Sequence, residues 1–353
     1  MSEVIVVGGG AAGMMAAIAA ADCGHQVTII EKNEKLGKKL FITGKGRCNI
    51  TNDSDVENHL NHVISNPKFM YSAFYSFDSS RMIDFLEQEG LAVKTERGNR
   101  VFPQSDKSSD VLQTLQKALR RRNVTVRLHT KMTGLMIEDH ICKGVKVQSY
   151  HGALETLAAD DVILTTGGLA YPSTGSTGDG QRLLKQAGVA LEPCYPALVP
   201  VETVEEWPIR LQGLSLRNVS LRVERGSHKI YEEQGEMLFT HFGVSGPLVL
   251  SASSLLGRKG AKDCKLHIDL KPALSEEQLD ERLQRDFAAQ KNSMFKNSLG
   301  KLLPSKLIPV IVELSEITPD KQVNEVTRQE RHRLVKLCKD LTCTVKKLRD
   351  FPE

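Results

Sequence analysis

The sequence is poor in aromatic residues, which make up 5% of its 353 residues and include one tryptophan. Proteins that bind single-stranded nucleic acid stack the bases on aromatic side chains, so this scarcity argues against such a function. The formal net charge of +4 is small for the length and does not provide the basic surface that nucleic-acid binding needs. We therefore expect no nucleic-acid partner.

Cysteine usage also excludes classes of protein. The seven cysteines stand at irregular spacings, with no C-x-x-C pair and no Cys/His group at zinc-ligand spacing. No apolar run reaches about 18 residues, so we expect no membrane-spanning segment. The sequence enters a strand pattern directly after Met1-Ser2-Glu3, without the pattern of a signal peptide. These features predict a cytoplasmic protein with reduced thiols and without a metal. As partner we expect a small-molecule substrate, and as assembly a monomer or homodimer.

What the sequence has is a nucleotide-binding pattern at its start. Residues 4–7 are a β-branched run typical of a buried parallel strand, and G-x-G-x-x-G follows at Gly8, Gly10 and Gly13. Gly8 allows a tight turn, and Gly10 lets the backbone approach a pyrophosphate. Gly13 allows the helix to pack closely on the strand.

The context of the glycines strengthens this interpretation. An alanine-rich helix follows, and the N–H groups at Ala11 and Ala12 in its first turn would offer donors to phosphates. A second strand at residues 27–30 ends at Glu31, about 20 residues after the glycines, where an acid holds a ribose hydroxyl. Since a carboxylate repels a 2′-phosphate, the pattern predicts FAD or NAD and not NADP.

A second stretch mixes glycines with basic residues. L-G-K-K-L at residues 36–40 precedes T-G-K-G-R-C-N-I-T-N at residues 43–52. Backbone N–H groups and cations that converge in this way suit a loop wrapped on an anionic ligand. A solvated basic loop would have the same composition, and that alternative stays open.

Elements elsewhere follow from periodicity and capping signals. We predict helices at 80–89 with Ser80 as N-cap, at 109–119, at 275–290 with a Ser275/Gln278 capping box, and at 329–341. We predict strands at 124–128, 145–149, 156–159, 216–223, 229–231 and 266–270, with 145–149 and 156–159 antiparallel.

Taken together, the two motif stretches resemble the HI0933-like family of bacterial flavoproteins, also described as aminoacetone oxidase-like FAD-binding enzymes. The resemblance continues in D-V-I-L-T-T-G-G at residues 161–168 and in the stretches at 171–180 and 235–247. It spans the chain to about residue 350, and the T-G-x-G-R-C-N-x-T-N stretch is its most specific part.

The resemblance implies an α/β fold with a glutathione-reductase-like, Rossmann-like FAD-binding domain and an inserted β-barrel-like plus helical domain. The expected boundaries are 1–192 for the FAD-binding domain and 193–345 for the inserted substrate or cap domain. Residues 346–353 would start the return to the FAD-binding domain. In the family, a further strand and a glycine-containing loop complete the flavin site after that return, so we expect the chain as given to hold FAD weakly.

Motifs and resemblance together supply a set of expected cofactor-binding residues. Met132 belongs to it because the segment after the strand at 124–128 often meets adenine through its backbone. The set is Gly8, Gly10, Ala11, Ala12, Gly13, Glu31, Lys32, Lys39, Gly44, Gly46, Arg47, Cys48, Asn49, Met132, Thr166, Gly167 and Gly168. Because no second G-x-G-x-x-G occurs, NAD(P)H is left open only as a transient electron donor.

The resemblance implies an FAD-dependent oxidoreductase that reduces a conjugated enone or oxidises a small amine. A non-catalytic or tRNA-associated flavoprotein and a truncated, cofactor-free remnant are the alternatives. No catalytic residue is assigned. Cys48 is either a redox thiol, with a thiolate favoured by Arg47, or a packing residue. His241 is either a general acid–base or structural, and Tyr171 either donates a proton or packs beside the flavin loop.

Overall fold

The computed structural model describes residues 1–351, without the side chains of residues 258 and 259. The chain divides into two compact units, Met1–Pro193 and Cys194–Phe351. The predicted domain boundary at 192/193 lies one residue from this division.

The first unit contains both β-strands and α-helices. Its strands are β1 (Glu3–Val7), β2 (Gln26–Ile30), β3 (Thr51–Asn52), β4 (Val93–Glu96), β5 (Arg100–Pro103), β6 (Thr125–Arg127), β7 (Thr130–Glu138), β8 (Ile141–Ser149), β9 (Leu154–Ala158) and β10 (Asp161–Leu164). Its helices are α1 (Ala11–Asp22), α2 (Lys38–Ile42), α3 (Val56–Asn61), α4 (Pro67–Ser76), α5 (Ser79–Gln88), α6 (Ser108–Arg121) and α7 (Asp179–Gln186).

A parallel sheet with the strand order β10-β1-β2-β6 forms the centre of this unit. Strand β1 pairs with β2 on one side and with β10, the last strand of this sheet along the chain, on the other, so the strand order reverses at β1. In open parallel sheets, ligands bind beyond the carboxyl ends of the strands at such a reversal of strand order. The topology therefore places a candidate site beyond Val7 and Leu164.

Both faces of the central sheet are covered, which explains the continuous apolar run of β1. On one face, Val6 packs in a cluster with Met14 of α1 and Leu115 of α6. On the other face, Ile5 packs in a cluster with Val145 of the antiparallel sheet β7-β8-β9. Burying these side chains stabilises each of them by about 1.5–3 kcal/mol relative to exposure.

The second unit is a closed barrel with helices. Its strands are β11 (Val201–Thr203), β12 (Ser215–Arg225), β13 (His228–Thr240), β14 (Gly243–Ser245), β15 (Cys264–Asp269) and β16 (Leu341–Leu348). They close in the order β11-β14-β13-β12-β15-β16. Its helices are α8 (Trp207–Arg210), α9 (Pro247–Lys259), α10 (Glu276–Ala288), α11 (Phe295–Ser298), α12 (Ile308–Ser315) and α13 (Arg328–Lys339). The predicted fold class, a Rossmann-like α/β domain with a barrel-plus-helix domain, is confirmed.

Most predicted elements are present, and two details differ. The predicted N-cap Ser80 is wrong, because the Asp78 side chain accepts the Arg81 N–H and α5 starts at Ser79. The capping box of Ser275 and Gln278 on α10 is confirmed. The predicted start of a return at residue 346 falls inside β16, which stays in the barrel to Leu348 through its pairing with β11.

Candidate cofactor site

A cleft of about 300 Å³ opens at the carboxyl ends of β1, β2 and β10. Gly8 and Gly10 line it from the turn after β1, Glu31 from the end of β2, and Thr165 and Thr166 from the end of β10. The volume lies at the lower end of the range for small-molecule sites. The cleft is where the topology predicts a ligand.

The three fingerprint glycines meet three different constraints. Gly8 has φ of +107°, and a Cβ there would lie 2.4 Å from the Thr165 carbonyl oxygen. A Cβ on Gly13 would lie 1.8 Å from the Gly8 oxygen, so this glycine serves the close packing of α1 against the turn. A Cβ on Gly10 would meet no atom within 4 Å. The chain therefore needs Gly8 and Gly13 in order to fold, whereas Gly10 keeps space open in the cleft.

The start of α1 supplies donors to this space. Gly10 is the N-cap of α1 and makes no side-chain capping bond. The N–H groups of Ala11 and Ala12 lie in the first turn, where they have no intrahelical acceptor, and both residues line the cleft. With the positive end of the helix dipole, they form a surface that suits a phosphate group.

Glu31 is buried, with 7% of its surface exposed, and lines the cleft. Its Oε2 atom accepts the Gly9 N–H at 2.7 Å. Its Oε1 atom accepts both the backbone N–H of Asn33 at 2.8 Å and the side-chain Nδ2 of Asn33 at 2.7 Å. Since a carboxylate offers about four acceptor positions, one position on Oε2 remains for a ligand donor such as a ribose hydroxyl.

Two lysines connect residues 32–39 to the segment after β10. Lys39 Nζ donates to the carbonyl oxygen of Ala170 and to Oγ of Ser176, each at 2.7 Å. Both acceptors are neutral, and burial lowers the pKa of Lys39. Lys32 Nζ donates to Oδ2 of Asp179 at 2.7 Å, at the first residue of α7. These bonds hold the walls of the cleft together.

Asp179 lines the cleft, and the pKa of its carboxyl group is strongly lowered. Burial acts to raise the pKa of Asp179, but hydrogen bonds from Lys32 and Thr177 outweigh it and lower the pKa to about 2. Because this value is below the ordinary 3.8, Asp179 stabilises the folded state above pH 3.8, and this contribution is lost as the pH falls toward 2.

We expect Asp179→Asn to lower the thermal midpoint at neutral pH by about 1–3 °C, since the pair is partly exposed and screened. The difference from wild type should narrow as the pH falls from about 4 to about 2, where wild-type Asp179 also loses its charge. Thermal unfolding across this range checks the prediction, with Glu34→Gln as a control for an exposed pair. An equal difference at every pH would show that the charge is not involved.

The structure brings ten of the seventeen expected residues together around the cleft. They are Gly8, Gly10, Ala11, Ala12, Glu31, Lys32, Lys39, Met132, Thr166 and Gly167. The other residues of the set do not line it among the residues described. They are Gly13, Gly44, Gly46, Arg47, Cys48, Asn49 and Gly168.

Arg47 does not face the cleft. Its guanidinium donates to Asp106 and Glu96 and lies 4.1 Å above the Phe102 ring. Both carboxylates raise the pKa of Arg47, Glu96 more strongly. Its charge is therefore satisfied within the protein, which favours the structural interpretation of this part of the basic loop.

Cys48 is fully buried, and burial raises the pKa of its thiol. The expectation that Arg47 would favour a Cys48 thiolate is therefore wrong, because the arginine is bound elsewhere and the thiol is removed from solvent. The backbone of Cys48 has φ of +61°, in the turn that closes this loop.

The two remaining candidate groups, Tyr171 and His241, are not among the described residues that line the cleft. Tyr171 is 51% exposed and precedes a short 3-10 turn, Pro172–Thr174. His241 is an exposed residue of the second unit, in the turn between β13 and β14, with its ring 4.8 Å from that of Phe242. The surroundings of Tyr171 and His241 do not identify either side chain as a proton donor.

Several residues that line the cleft are not in the set expected from the sequence, including Asn33, Thr43, Thr130 and Ser176. The run S-T-G-S-T-G at residues 173–178 could have predicted Ser176 as a lining residue, because alternating glycines and hydroxyl side chains favour a tight polar loop. Asn33 and Thr130 carry no local signal.

Comparison with known proteins adds three findings. The model of the family described as HI0933-like protein Rossmann domain matches residues 2–334. The chain is 30% identical over 355 residues to the 3-dehydro-bile acid delta(4,6)-reductase of Clostridium scindens, covering 99% of this chain and 84% of that protein. It is 28% identical over 344 residues to the ribosomal RNA dihydrouridine synthase of Escherichia coli, covering 96% and 80%.

Among solved structures, the chain is similar to the 3-ketosteroid-delta4-(5alpha)-dehydrogenase of Rhodococcus jostii RHA1. The TM-score is 0.48 and the identity 14%, over 99% of this chain and 83% of that one. Within residues 1–351, no helix combines the length and apolarity needed to cross a membrane. The same residues hold no group of three or more His, Cys, Asp or Glu side chains arranged to hold a metal ion.

Proposed function

The chain belongs to the HI0933-like protein Rossmann domain family, and from that premise we propose that its cleft binds FAD and that it reduces a carbon–carbon double bond conjugated to a carbonyl group. The observation that carries the cofactor proposal is the pairing of open space at Gly10 with a free acceptor position on Glu31. These features suit the pyrophosphate and the ribose of an adenine dinucleotide.

The residues around the cleft fit the adenosine half of FAD. The N–H groups of Ala11 and Ala12 would bind the pyrophosphate, and Glu31 would accept a ribose hydroxyl. Met132, at the start of β7, would lie against the adenine. When bound, FAD would supply two-electron chemistry, while the protein binds it, orients it and excludes water.

The relatives support the substrate class. One is named a 3-dehydro-bile acid delta(4,6)-reductase and the other a ribosomal RNA dihydrouridine synthase. Dihydrouridine differs from uridine in saturation of the double bond that is conjugated to a ring carbonyl. Both names therefore indicate saturation of an electron-poor double bond, which favours enone reduction over amine oxidation for this chain.

A small-molecule substrate and an RNA substrate both remain within this chemistry. We propose the small molecule, because the aromatic content of 5% and the net charge of +4 do not favour RNA. The greater identity to the bile-acid reductase, 30% against 28%, points the same way only slightly. NAD(P)H is proposed as a transient electron donor.

Anaerobic reoxidation of reduced flavin tests the proposal. Protein with excess FAD is photoreduced and mixed with a steroid that carries a conjugated 3-keto group, or with the saturated ketone as a control. We expect the enone to reoxidise the flavin at least about tenfold faster than the saturated ketone, a difference of about 1.4 kcal/mol in barrier. The Gly10→Val variant with the same excess FAD reports the reaction of free flavin.

Three other outcomes would contradict the proposal. Reduction of oxidised flavin by a small amine would favour the oxidase alternative. Reoxidation by ribosomal RNA fragments, but not by the enone, would favour RNA as the substrate. No difference between wild type and Gly10→Val would show that the protein takes no part in the reaction.

A further inference from the structure

The side chain of Asn33 lies between two walls of the cleft. Its Nδ2 atom donates to Oε1 of Glu31 at 2.7 Å and to the carbonyl oxygen of Thr174 at 3.1 Å. Glu31 directly follows β2, whereas Thr174 belongs to the segment after β10, more than 140 residues along the chain. One amide group therefore connects the carboxylate at the ribose position to the opposite loop.

The orientation of this amide is set by its neighbours. Nδ2 faces two acceptor oxygens, and Oδ1 accepts from Nζ of Lys38 at 3.5 Å. In the flipped orientation, Oδ1 would face the oxygens of Glu31 and Thr174, and the amide hydrogens would face an ammonium group. Such a flip would replace three favourable contacts with three repulsive ones, so the network assigns the amide as described.

Asn33 also decides which Glu31 oxygen is free. Its backbone N–H and its Nδ2 fill both acceptor positions of Oε1, while Gly9 fills one position of Oε2. These three hydrogen bonds hold both oxygens of the carboxylate in place. The remaining acceptor position lies on Oε2, and its direction is fixed before a ligand arrives, which reduces the ordering cost of binding.

The opposite loop is shaped to reach this amide. Gly175 has φ of +104°, and a Cβ there would lie 2.6 Å from Nδ2 of Asn33. Only a glycine allows the loop backbone to approach so closely in this conformation. The loop residues Thr174 and Gly175 line the cleft together with Asn33.

We propose that Asn33 is a positioning residue for the cofactor: its amide fixes the Glu31 carboxylate for the ribose and holds the Thr174 loop against the same end of the cleft. This inference rests on the proposed binding of FAD. It requires that the side chain at this position donate two hydrogen bonds, not merely that it fill the space.

Two variants separate donation from space filling. Asn33→Asp keeps the size of the side chain but replaces the donor with a carboxylate facing the Glu31 carboxylate and the Thr174 carbonyl. Asn33→Ala removes the side chain and leaves the two acceptors to water. We expect FAD affinity at about pH 7.5 to fall by about tenfold in Asn33→Ala and by a further tenfold or so in Asn33→Asp. A residue that only fills space would give the reverse order.

A pH series adds a second readout. The charged groups near the introduced carboxyl are Glu31 and Lys38, together with Lys32, which pairs with Asp179 and has its Cε 3.3 Å from the Cβ position of Gly175. Lys38 favours the charged form, but Glu31 is closer and disfavours it. As the pH falls toward about 5, the two carboxyls of Asn33→Asp should share a proton that bridges them, so FAD affinity should rise. Wild-type affinity should not rise over the same range.

The measurements are FAD and ADP dissociation constants and the thermal midpoint of the ligand-free protein. Milder loss in Asn33→Asp than in Asn33→Ala at every pH would overturn the inference. So would unchanged dissociation constants in both variants with lowered midpoints, since the residue would then be structural only. If the wild type bound neither FAD nor ADP, the result would contradict both the proposed function and the positioning role of Asn33. An acid-dependent recovery of the Asn33→Asp midpoint would still identify the contact with Glu31.

Discussion

Gly10→Val is expected to abolish FAD binding, with at least about a 10³-fold loss of affinity, or about 4 kcal/mol. A Cβ at this position meets no protein atom within 4 Å, so the added methyl groups would enter the space of the cleft. The pyrophosphate needs that space to reach the first turn of α1. The variant should remain folded, because the Cβ position at Gly10 is free of close contacts with the protein. Flavin fluorescence titration and circular dichroism check both parts.

Gly13→Val provides the matched control for Gly10→Val. A Cβ on Gly13 would lie 1.8 Å from the Gly8 oxygen in the turn after β1 and 2.7 Å from Oγ1 of Thr165 at the end of β10. This variant should lose thermal stability as well as binding. If Gly10→Val kept its flavin, the pyrophosphate would not lie in this turn. If it unfolded, the space at Gly10 would not be open.

Glu31→Ala is expected to weaken FAD binding by about one to two orders of magnitude. The lost contact is a charge-assisted hydrogen bond to a ribose hydroxyl, worth roughly 1.5–3 kcal/mol. The variant also removes the acceptor of the Gly9 N–H and of both Asn33 N–H groups, so its thermal midpoint should fall. FAD titration and thermal unfolding measure the two effects separately.

The exposed carboxylate of Glu34, three residues further along, gives the control for this prediction. It pairs with Lys38 at 3.3 Å and does not line the cleft. Glu34→Ala should leave FAD affinity within about threefold of wild type. An unchanged dissociation constant in Glu31→Ala would show that this carboxylate does not hold the ribose.

The part of the cleft that β1, α1 and β2 form could be predicted from the sequence, because its residues are close to one another along the chain. The β-branched run of β1, the three glycines and Glu31 all lie within the first 31 residues. The geometry of the site requires each of these residue types at its position. The apolar runs of β1 and β2 also predict buried parallel strands, because both faces of their sheet are covered.

The role of the basic loop at residues 43–52 could not be predicted, because the side chains that contact it are distant in sequence. Arg47 is bound by Glu96 and Asp106, which lie 49 and 59 residues away. Because the sequence does not show that these carboxylates are close to Arg47, a basic residue in a glycine-rich loop is as consistent with an anion-binding site as with an internal ion pair. Strand β7 was missed for a local reason, since T-K-M-T-G-L-M-I-E does not alternate strictly and contains Gly134.

Competition between FAD and adenine nucleotides tests the central claim, that the cleft holds the adenosine diphosphate half of FAD. FAD is titrated into the protein by fluorescence, and ADP or ADP carrying a 2′-phosphate is added as competitor. We predict saturable binding that ADP displaces, with the 2′-phosphorylated nucleotide at least about tenfold weaker because of its repulsion from Glu31. Flavin binding that ADP does not displace, or equal competition by both nucleotides, would contradict the account.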